Sequence, residues 1–370
     1  MGEKTRHKVL FAGGGTGGHL MPAINIALAL RNLDREIETL FIGKKDGMEK
    51  AIVTRFEFPI KEIEVVPMRR SIKGIINFIL NWNKGLKQAE SALREFGPEV
   101  VVGTGGYVSA PVVRTAHKMR IPIFMQEQNS LPGLATRTLS QMADSVFIAY
   151  EGATKYISKQ KCRMVGNPVR PDLLNANRDE GIKEFSLDSS KKTILVLGGS
   201  SGARGINNAM LEIVKLAGIP DDWQILWQIG QKDFSEVAFA IPDKLRGKYL
   251  PFIHNMPAAY AIADIIISRA GAMALAEIAV WGLPSILIPY PYATGDHQTK
   301  NAREFAENGA AVVIPEKALS VHLSMALSDL LNDVEKRSVM ARAAKMLARP
   351  NAANDIAKTI LEKINEVQTH

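Results

Sequence analysis

Cysteine occurs once in the 370 residues, at Cys162. An internal disulfide is therefore excluded, a cysteine-built metal site has no ligands, and the redox setting reads as cytosolic. Long uninterrupted apolar runs are missing as well. Two uncharged stretches, 9–30 and 278–295, reach the ~18 residues of a membrane span. However, the glycines at 13–18 interrupt the first, and Gly282, Pro284, Pro289 and Pro291 break the second, so each reads as short buried elements joined by loops. The apolar start at 9–12 is too short for a secretory signal, and Arg6 stands where a myristoylation signal needs Ser or Thr. No Asp-x-Asp pair occurs anywhere, and no period of 20 to 50 residues repeats. With 46% hydrophobic and 23% charged residues, disorder and fibrous repeats are excluded too.

Acidic residues are scarce in one place. Lys and Arg number 46 against 38 Asp and Glu, a net charge of +8, so an anionic partner is indicated: nucleic acid, a phosphorylated metabolite or a membrane surface. The excess lies wholly in the first half, where residues 1–163 hold 24 basic and 15 acidic side chains against 22 and 23 in the remainder. Between residues 69 and 87 there is no acid at all; Arg69, Arg70, Lys73, Lys84 and Lys87 enclose Ile75, Ile76, Phe78, Ile79, Leu80 and Trp82. Positions 75, 76, 79, 82 and 86 follow helical spacing, which predicts an apolar face with a basic border. This pattern fits an interfacial membrane helix, with a core-packed helix whose solvated ends are basic as the plain alternative. Five cations on an anionic leaflet would contribute up to ~5 kcal/mol, at ~1 kcal/mol each.

Short apolar strands alternate with helical stretches, and the alternation restarts midway. Strands are predicted at 8–12, 39–43, 99–103 and 122–126, with a helix over 22–33 after the loop 13–19. After residues 166–172, where Pro168 and Pro171 hold an extended turn, a strand at 193–197, a glycine loop at 198–205 and a helix from 206 begin the pattern again. The expected fold class is α/β, with two Rossmann-like domains whose parallel sheets face each other across a cleft. The expected domains are 1–166 and 167–349, with a final helix at about 350–370 crossing back to the first.

Gly13, Gly15 and Gly18 satisfy G-x-G-x-x-G between strand and helix, a place where backbone N–H groups receive an oxyanion or pyrophosphate. A tight structural turn explains one such loop equally well. The second strand ends in Gly43-Lys44-Lys45 without the acid that holds a dinucleotide ribose, so NAD binding is disfavoured. The loop at 198–205 has no Gly-Lys-Ser/Thr and is not a P-loop. In the segment 268–277, small residues at 270–272 open a helix toward a diphosphate. Glu277 follows at a distance suited to ribose hydroxyls, or is a solvated acid balancing the dipole. The polar stretch Asp296-His297-Gln298 adds hydrogen-bonding groups in a loop.

The motifs GGGTGGH at 13–19, GTGGY at 103–107, EQN at 127–129, GNPVR at 166–170, GGSSGAR at 198–204, SRAGAMALAEIAVWGLP at 268–284 and DHQTKNA at 296–302 run in order over nearly the whole chain. Together they resemble the MurG family, the undecaprenyldiphospho-muramoylpentapeptide N-acetylglucosaminyltransferases of glycosyltransferase family 28, which have the GT-B fold. The resemblance implies inverting transfer of GlcNAc from UDP-GlcNAc to the C4 hydroxyl of the muramoyl residue of lipid I, giving lipid II, without a cofactor. Carried over motif by motif, the UDP-GlcNAc contacts are Thr16, Gly17, Gly18, Asn129, Arg170, Ser200, Ile253, Ala272, Met273, Ala274, Leu275, Ala276, Glu277 and Gln298. In that mapping Glu277 takes the ribose, the helix start at 272–273 and Ser200 face the diphosphate, Ile253 borders uracil, and Asn129 and Gln298 address the sugar. Gln126 departs from the family, several members of which have His there.

Inverting transfer needs a base for the acceptor hydroxyl and stabilisation of the departing UDP. Helix N-termini would supply the second, with no metal. His19 is the candidate base, because imidazole exchanges protons near neutrality; positioning of the acceptor is its alternative role, and Glu127 is the alternative base. The implied partners are UDP-GlcNAc, the lipid I acceptor, an anionic membrane surface and other cell-wall synthesis proteins, with nucleic acid no longer indicated. The implied location is peripheral, on the cytoplasmic face of the plasma (inner) membrane, docked through Arg69, Arg70, Lys73, Ile75, Phe78, Ile79 and Trp82. Competing readings are another GT-B glycosyltransferase with a membrane lipid acceptor, a UDP-GlcNAc epimerase, and a non-catalytic UDP-sugar-binding protein.

Overall fold

Residues 9–12, 100–102 and 194–197 are apolar at every position and at most 5% exposed. A strand buried on both faces needs a layer of helix on each side, which is the environment of a parallel sheet. The computed structural model, which describes residues 6–67, 71–199, 202–216 and 218–368, has parallel pairing between all neighbouring strands. The chain divides into two compact units, Met1–Pro171 with Arg349–His370, and Asp172–Ala348.

The first unit runs β1 (Lys8–Gly13), α1 (Gly17–Leu33), β2 (Glu38–Lys44), α2 (Met48–Val53), β3 (Ile60–Ile63), α3 (Ile72–Phe96), β4 (Val100–Gly105), α4 (Gly106–Lys118), β5 (Ile123–Glu127), α5 (Leu134–Leu139), β6 (Ser145–Ile148) and β7 (Cys162–Met164). Its sheet order is β3-β2-β1-β4-β5-β6-β7.

The second unit runs α6 (Arg178–Phe185), β8 (Lys192–Leu197), α7 (Arg204–Lys215), β9 (Trp223–Gln228), α8 (Phe234–Ala240), β10 (Gly247–Leu250), α9 (Met256–Ile262), β11 (Ile265–Ser268), α10 (Ala272–Trp281), β12 (Ser285–Leu287), α11 (His297–Glu307), β13 (Ala311–Val313), α12 (Leu319–Asn332) and α13 (Val334–Met346). Its sheet order is β10-β9-β8-β11-β12-β13.

The last helix, α14 (Ala352–Gln368), belongs to the first unit, where Ile356, Ile360 and Ile364 share a core with Leu20, Ile24 and Ala27 of α1. Both sheets therefore reverse direction at one point, between β1 and β4 and between β8 and β11. In doubly wound sheets the ligand crevice lies beyond the carboxyl ends of the strands at that point.

Two expectations about local structure change. Helix α1 starts at Gly17, five residues before the predicted Pro22, and the backbone N–H groups of His19 and Leu20 donate to Thr16 O, each at 3.2 Å. Glycine has poor helix propensity, so only the packing of this stretch sets the start; His19 consequently sits in the first helical turn and not in a loop. Likewise His297 and Gln298 open α11, while Asp296 before them takes a left-handed conformation (φ 56°) that ends the preceding turn.

Candidate functional site

In the second unit a cavity of about 730 Å³ opens beside the glycine loop that follows β8 and the start of α10, at the point where the sheet reverses. The loop needs glycine. Gly202 has φ +78°, and a Cβ there would lie 2.4 Å from Ile229 O. Gln228, 4% exposed at the end of β9, ties two walls of the cavity together: its Nε2 donates to Gly199 O at 2.9 Å, and its Oε1 accepts from the Ile253 N–H at 2.9 Å. Ile253 lines the cavity.

Helix α10 begins at Gly271 with no side-chain cap. Gly271 at that start and Ala274 in the first turn line the cavity, so the positive end of the helix dipole lies at its wall, an arrangement that suits a phosphate. Of the segment 272–277, Ala274 and Glu277 line the cavity, whereas Leu275 is wholly buried and Ala272 nearly so. Ala274 and Glu277 are three residues apart, on one helical face; Leu275 is turned into the core by the ~100° step per residue. Met273 and Ala276 are half-buried and outside the lining. Among the side chains of this segment, one helical face lines the cavity.

Glu277 has a partner that the motifs did not point to. Tyr260, 1% exposed on α9, donates its hydroxyl to Glu277 Oε2 at 2.8 Å. Burial, and then the Glu277 charge and hydrogen bond, hold the Tyr260 phenol well above its ordinary value. Also lining the cavity, Arg269 pairs with Glu316 at 2.6 Å and lies over the Tyr290 ring at 5.4 Å. Gln298 Oε1 accepts from the Tyr290 N–H at 2.9 Å. Gln298 therefore lines the cavity as the brace of the Tyr290 loop, while His297 Nδ1 donates to Thr294 O (2.7 Å) on the exposed side of the turn.

In the first unit, Thr16, Gly17, Gly18 and His19 form the start of α1, with Thr16 and Gly18 exposed and His19 half-buried. Thr104, fully buried at the end of β4, grips His19 twice: its hydroxyl donates to His19 O at 2.7 Å, and its carbonyl lies 3.1 Å from His19 Nδ1. Gln128 Oε1 also lies 3.1 Å from Nδ1. Next to it, Gly106 (φ +76°) would place a Cβ 2.1 Å from Gly14 O, so the two glycine loops touch only because both lack side chains.

The first glycine loop differs from the expected anion cradle. Glu49, 1% exposed, accepts the Gly15 N–H on Oε1 at 2.7 Å. A carboxylate of the chain itself thus occupies that donor, and what remains for a ligand is the α1 N-terminus at Gly17 and Gly18. Burial first, and then the Glu49 charge, raise the Tyr107 phenol beside it. Glu49 lies 34 residues from the loop, and no local motif ties the two.

Glu127 is fully buried. Its Oε1 accepts from the Asn129 N–H (3.0 Å) and Asn129 Nδ2 (3.2 Å), and its Oε2 from the Gly133 N–H (3.2 Å). Both oxygens are thus committed to holding the loop after β5, which corrects the reading of Glu127 as an alternative base: a base must reach a proton on a bound hydroxyl. Gln126 is also fully buried, and it bonds Gln128 and Asn167. Arg170 packs over the Phe56 ring at 6.0 Å, within the first unit.

Ser200, Arg69 and Arg70 lie outside the described residues, and so do the side chains of Lys73, Ile75 and Ile79 on α3. Phe78 and Trp82, four residues apart on that helix, stack at 5.6 Å, both half-buried. Farther along, Ala89, Ala92 and Leu93 are in the core. Lys84, which has no acid near it in sequence, pairs with Glu64 at 3.3 Å because β3 leads the chain back past α3. Among the described residues no helix is long and apolar enough to cross a membrane.

Residues 9–148 match the glycosyltransferase family 28 N-terminal domain and residues 193–360 the family 28 C-terminal domain. The chain is similar to the UDP-N-acetylglucosamine--N-acetylmuramyl-(pentapeptide) pyrophosphoryl-undecaprenol N-acetylglucosamine transferases of Desulforamulus reducens (42% identity, 96% of this chain and 98% of that one) and Halothermothrix orenii (40%, 95% and 98%). Among solved structures it is similar to Acinetobacter baumannii MurG, with a TM-score of 0.76 at 26% identity over 96% of this chain and 99% of that one. A putative UDP-N-acetylglucosamine 2-epimerase from Listeria monocytogenes shares the fold alone, with a TM-score of 0.69 at 16% identity over 98% of each chain. With two sheets of Rossmann order, a phosphate-suited helix start and both family domains matched along its length, the chain belongs to glycosyltransferase family 28.

Proposed function

We propose that the protein transfers GlcNAc from UDP-GlcNAc to the C4 hydroxyl of the N-acetylmuramyl-pentapeptide carried on undecaprenyl diphosphate. The observation that carries this reading is the cavity of the second unit, where the uncapped α10 start and the Glu277 carboxylate stand on one helical face, in a chain 42% identical to an enzyme named for this transfer. Ile253 borders the base, Glu277 accepts hydrogen bonds from the ribose, and the α10 N-terminus meets the diphosphate.

The first unit supplies the base. His19 Nε2 takes the proton of the acceptor hydroxyl as that oxygen bonds to the anomeric carbon of GlcNAc from the face opposite UDP. The bond from that carbon to the β-phosphate oxygen breaks, and the electron pair leaves with UDP. Attack from the opposite face inverts the anomeric centre. Charge appearing on UDP falls at a helix N-terminus, which favours it by about 0.3–2 kcal/mol depending on burial.

The acceptor hangs from a polyprenyl chain, so a peripheral position on the cytoplasmic leaflet follows, with Phe78 and Trp82 of α3 among the docking side chains. The experiment that tests the activity is incubation of labelled UDP-GlcNAc with a lipid I analogue. Label in a lipid II product is the expected result; no transfer, or epimerised UDP-sugar formed without acceptor, overturns the reading.

A further inference from the structure

The atoms around His19 specify more than its neighbours. Gln128 is 2% exposed and Gln126 wholly buried. Gln128 Nε2 lies 2.8 Å from Thr104 O and 3.3 Å from Gln126 O. Both are backbone carbonyls and can only accept, so the amide end facing them is the NH₂ and the end facing His19 is the oxygen. The same NH₂ lies 2.6 Å from the Gln126 side chain, which must present its own oxygen there. Gln126 Nε2 then donates to Asn167 Oδ1 at 3.1 Å, and Asn167 Nδ2 donates to the backbone carbonyl of Gln128 at 3.1 Å. The chain of amides therefore begins and ends on backbone carbonyls, and reversing any one member would set two acceptors or two donors face to face.

The consequence falls on the ring. His19 Nδ1 faces Thr104 O and Gln128 Oε1, both acceptors, each at 3.1 Å. Only a proton on Nδ1 satisfies that arrangement, and in the neutral ring the lone pair is then on Nε2.

We propose that Gln128 is a positioning residue for the reaction: its side-chain oxygen, held in place by Gln126 and Asn167, joins Thr104 O in holding the His19 ring in place as the Nδ1–H tautomer, with Nε2 able to accept the acceptor's proton. This rests on the reading of His19 as the base. It assigns Gln126, buried away from any substrate, to the orientation of Gln128. A neutral imidazole at position 126 offers the same one donor and one acceptor, whereas methionine offers neither.

The test has two arms. In protein labelled with ¹⁵N-histidine, with the His19 signal identified by its loss in His19→Gln, the wild-type ring shows the Nδ1–H tautomer at a pH where it is neutral. An Nε2–H ring overturns the proposal whatever the variants do. In the second arm Gln128→Met leaves Thr104 O as the remaining acceptor at Nδ1 and loosens the ring, and kcat of GlcNAc transfer falls about 10–100-fold, as on loss of the partner that orients a metal-bound histidine, with UDP-GlcNAc affinity unchanged. Gln126→His retains more turnover than Gln126→Met. Unchanged kcat in Gln128→Met, or loss of donor affinity in step with kcat, overturns it. The tautomer measurement needs no turnover, so a failure of the base reading, seen as normal turnover in His19→Ala, is distinguishable from a failure of this one.

Discussion

Replacing Tyr260 by Phe deletes one oxygen from the wall of the second unit's cavity and leaves the ring in its buried place. The lost bond, 2.8 Å from a phenol to the Glu277 carboxylate, is charge-assisted, and such bonds contribute about 1.5–3 kcal/mol net. Glu277 is half-buried, so water recovers part of that, leaving an expected stability loss of about 1–2 kcal/mol. Without the Tyr260 hydroxyl the carboxylate is held less firmly, and the ligand must restore its order. If the whole of that cost falls on binding, Kd for UDP rises about 5–30-fold. Titration calorimetry with UDP and with its 2′-deoxy analogue measures this, alongside kcat at saturating donor, which stays near wild type.

The analogue gives the reasoning its edge, because a weakened carboxylate–ribose contact weakens UDP more than a ligand lacking the hydroxyl. UDP affinity within twofold of wild type, or equal losses for both ligands, would refute the role of Glu277 argued here. Alkaline unfolding offers a second check. The Tyr260 phenol is held above its ordinary 10.0 in the folded state, so its contribution is whole below pH 10 and is lost as the pH rises past that value. The Phe variant is less stable at neutral pH and loses less stability above pH 10.

His19→Ala should lower kcat by about 10²-fold or more with UDP-GlcNAc affinity nearly intact, and a variant that turns over normally removes His19 from the chemistry. Glu127→Leu should cost about 2–4 kcal/mol of stability, since it strands buried N–H groups of the loop after β5; a thermal melt matching wild type would show that the carboxylate does not brace the loop. The double variant Phe78→Ser, Trp82→Ser should sediment less with anionic liposomes while its cavity still binds UDP, and wild-type co-sedimentation would end the proposal that α3 docks the protein on a membrane.

The alternation of strand and helix was readable because buried parallel strands are apolar at every position, and residues 9–12, 100–102 and 194–197 needed no tertiary knowledge to be recognised. Glu277 and Gln298 stand in the quoted motifs and Ile253 was named with them, and all three line the cavity of the second unit. What could not be read was the face. The segment 272–277 presents six residues in sequence, and of these only Ala274 and Glu277 line the cavity. The start of α1 was also hidden, because Gly17 and Gly18 carry no helix signal and their conformation is imposed by what they pack on.

Sequence alone determined the two-sheet α/β plan, the basic first half and the place of each glycine loop between a strand and a helix, since these depend on residue type and local spacing. Tertiary structure decided the partners. Glu49 reaches Gly15 across 34 residues, Gln128 reaches His19 across 109 and Glu64 meets Lys84 across 20. Hydrogen bonds and ion pairs act over a few ångströms, and which groups come that close is set by how parallel strands and their crossover helices return the chain to one edge of the sheet. The motifs therefore marked the loops and helix starts, and the fold determined which of their atoms were already in use.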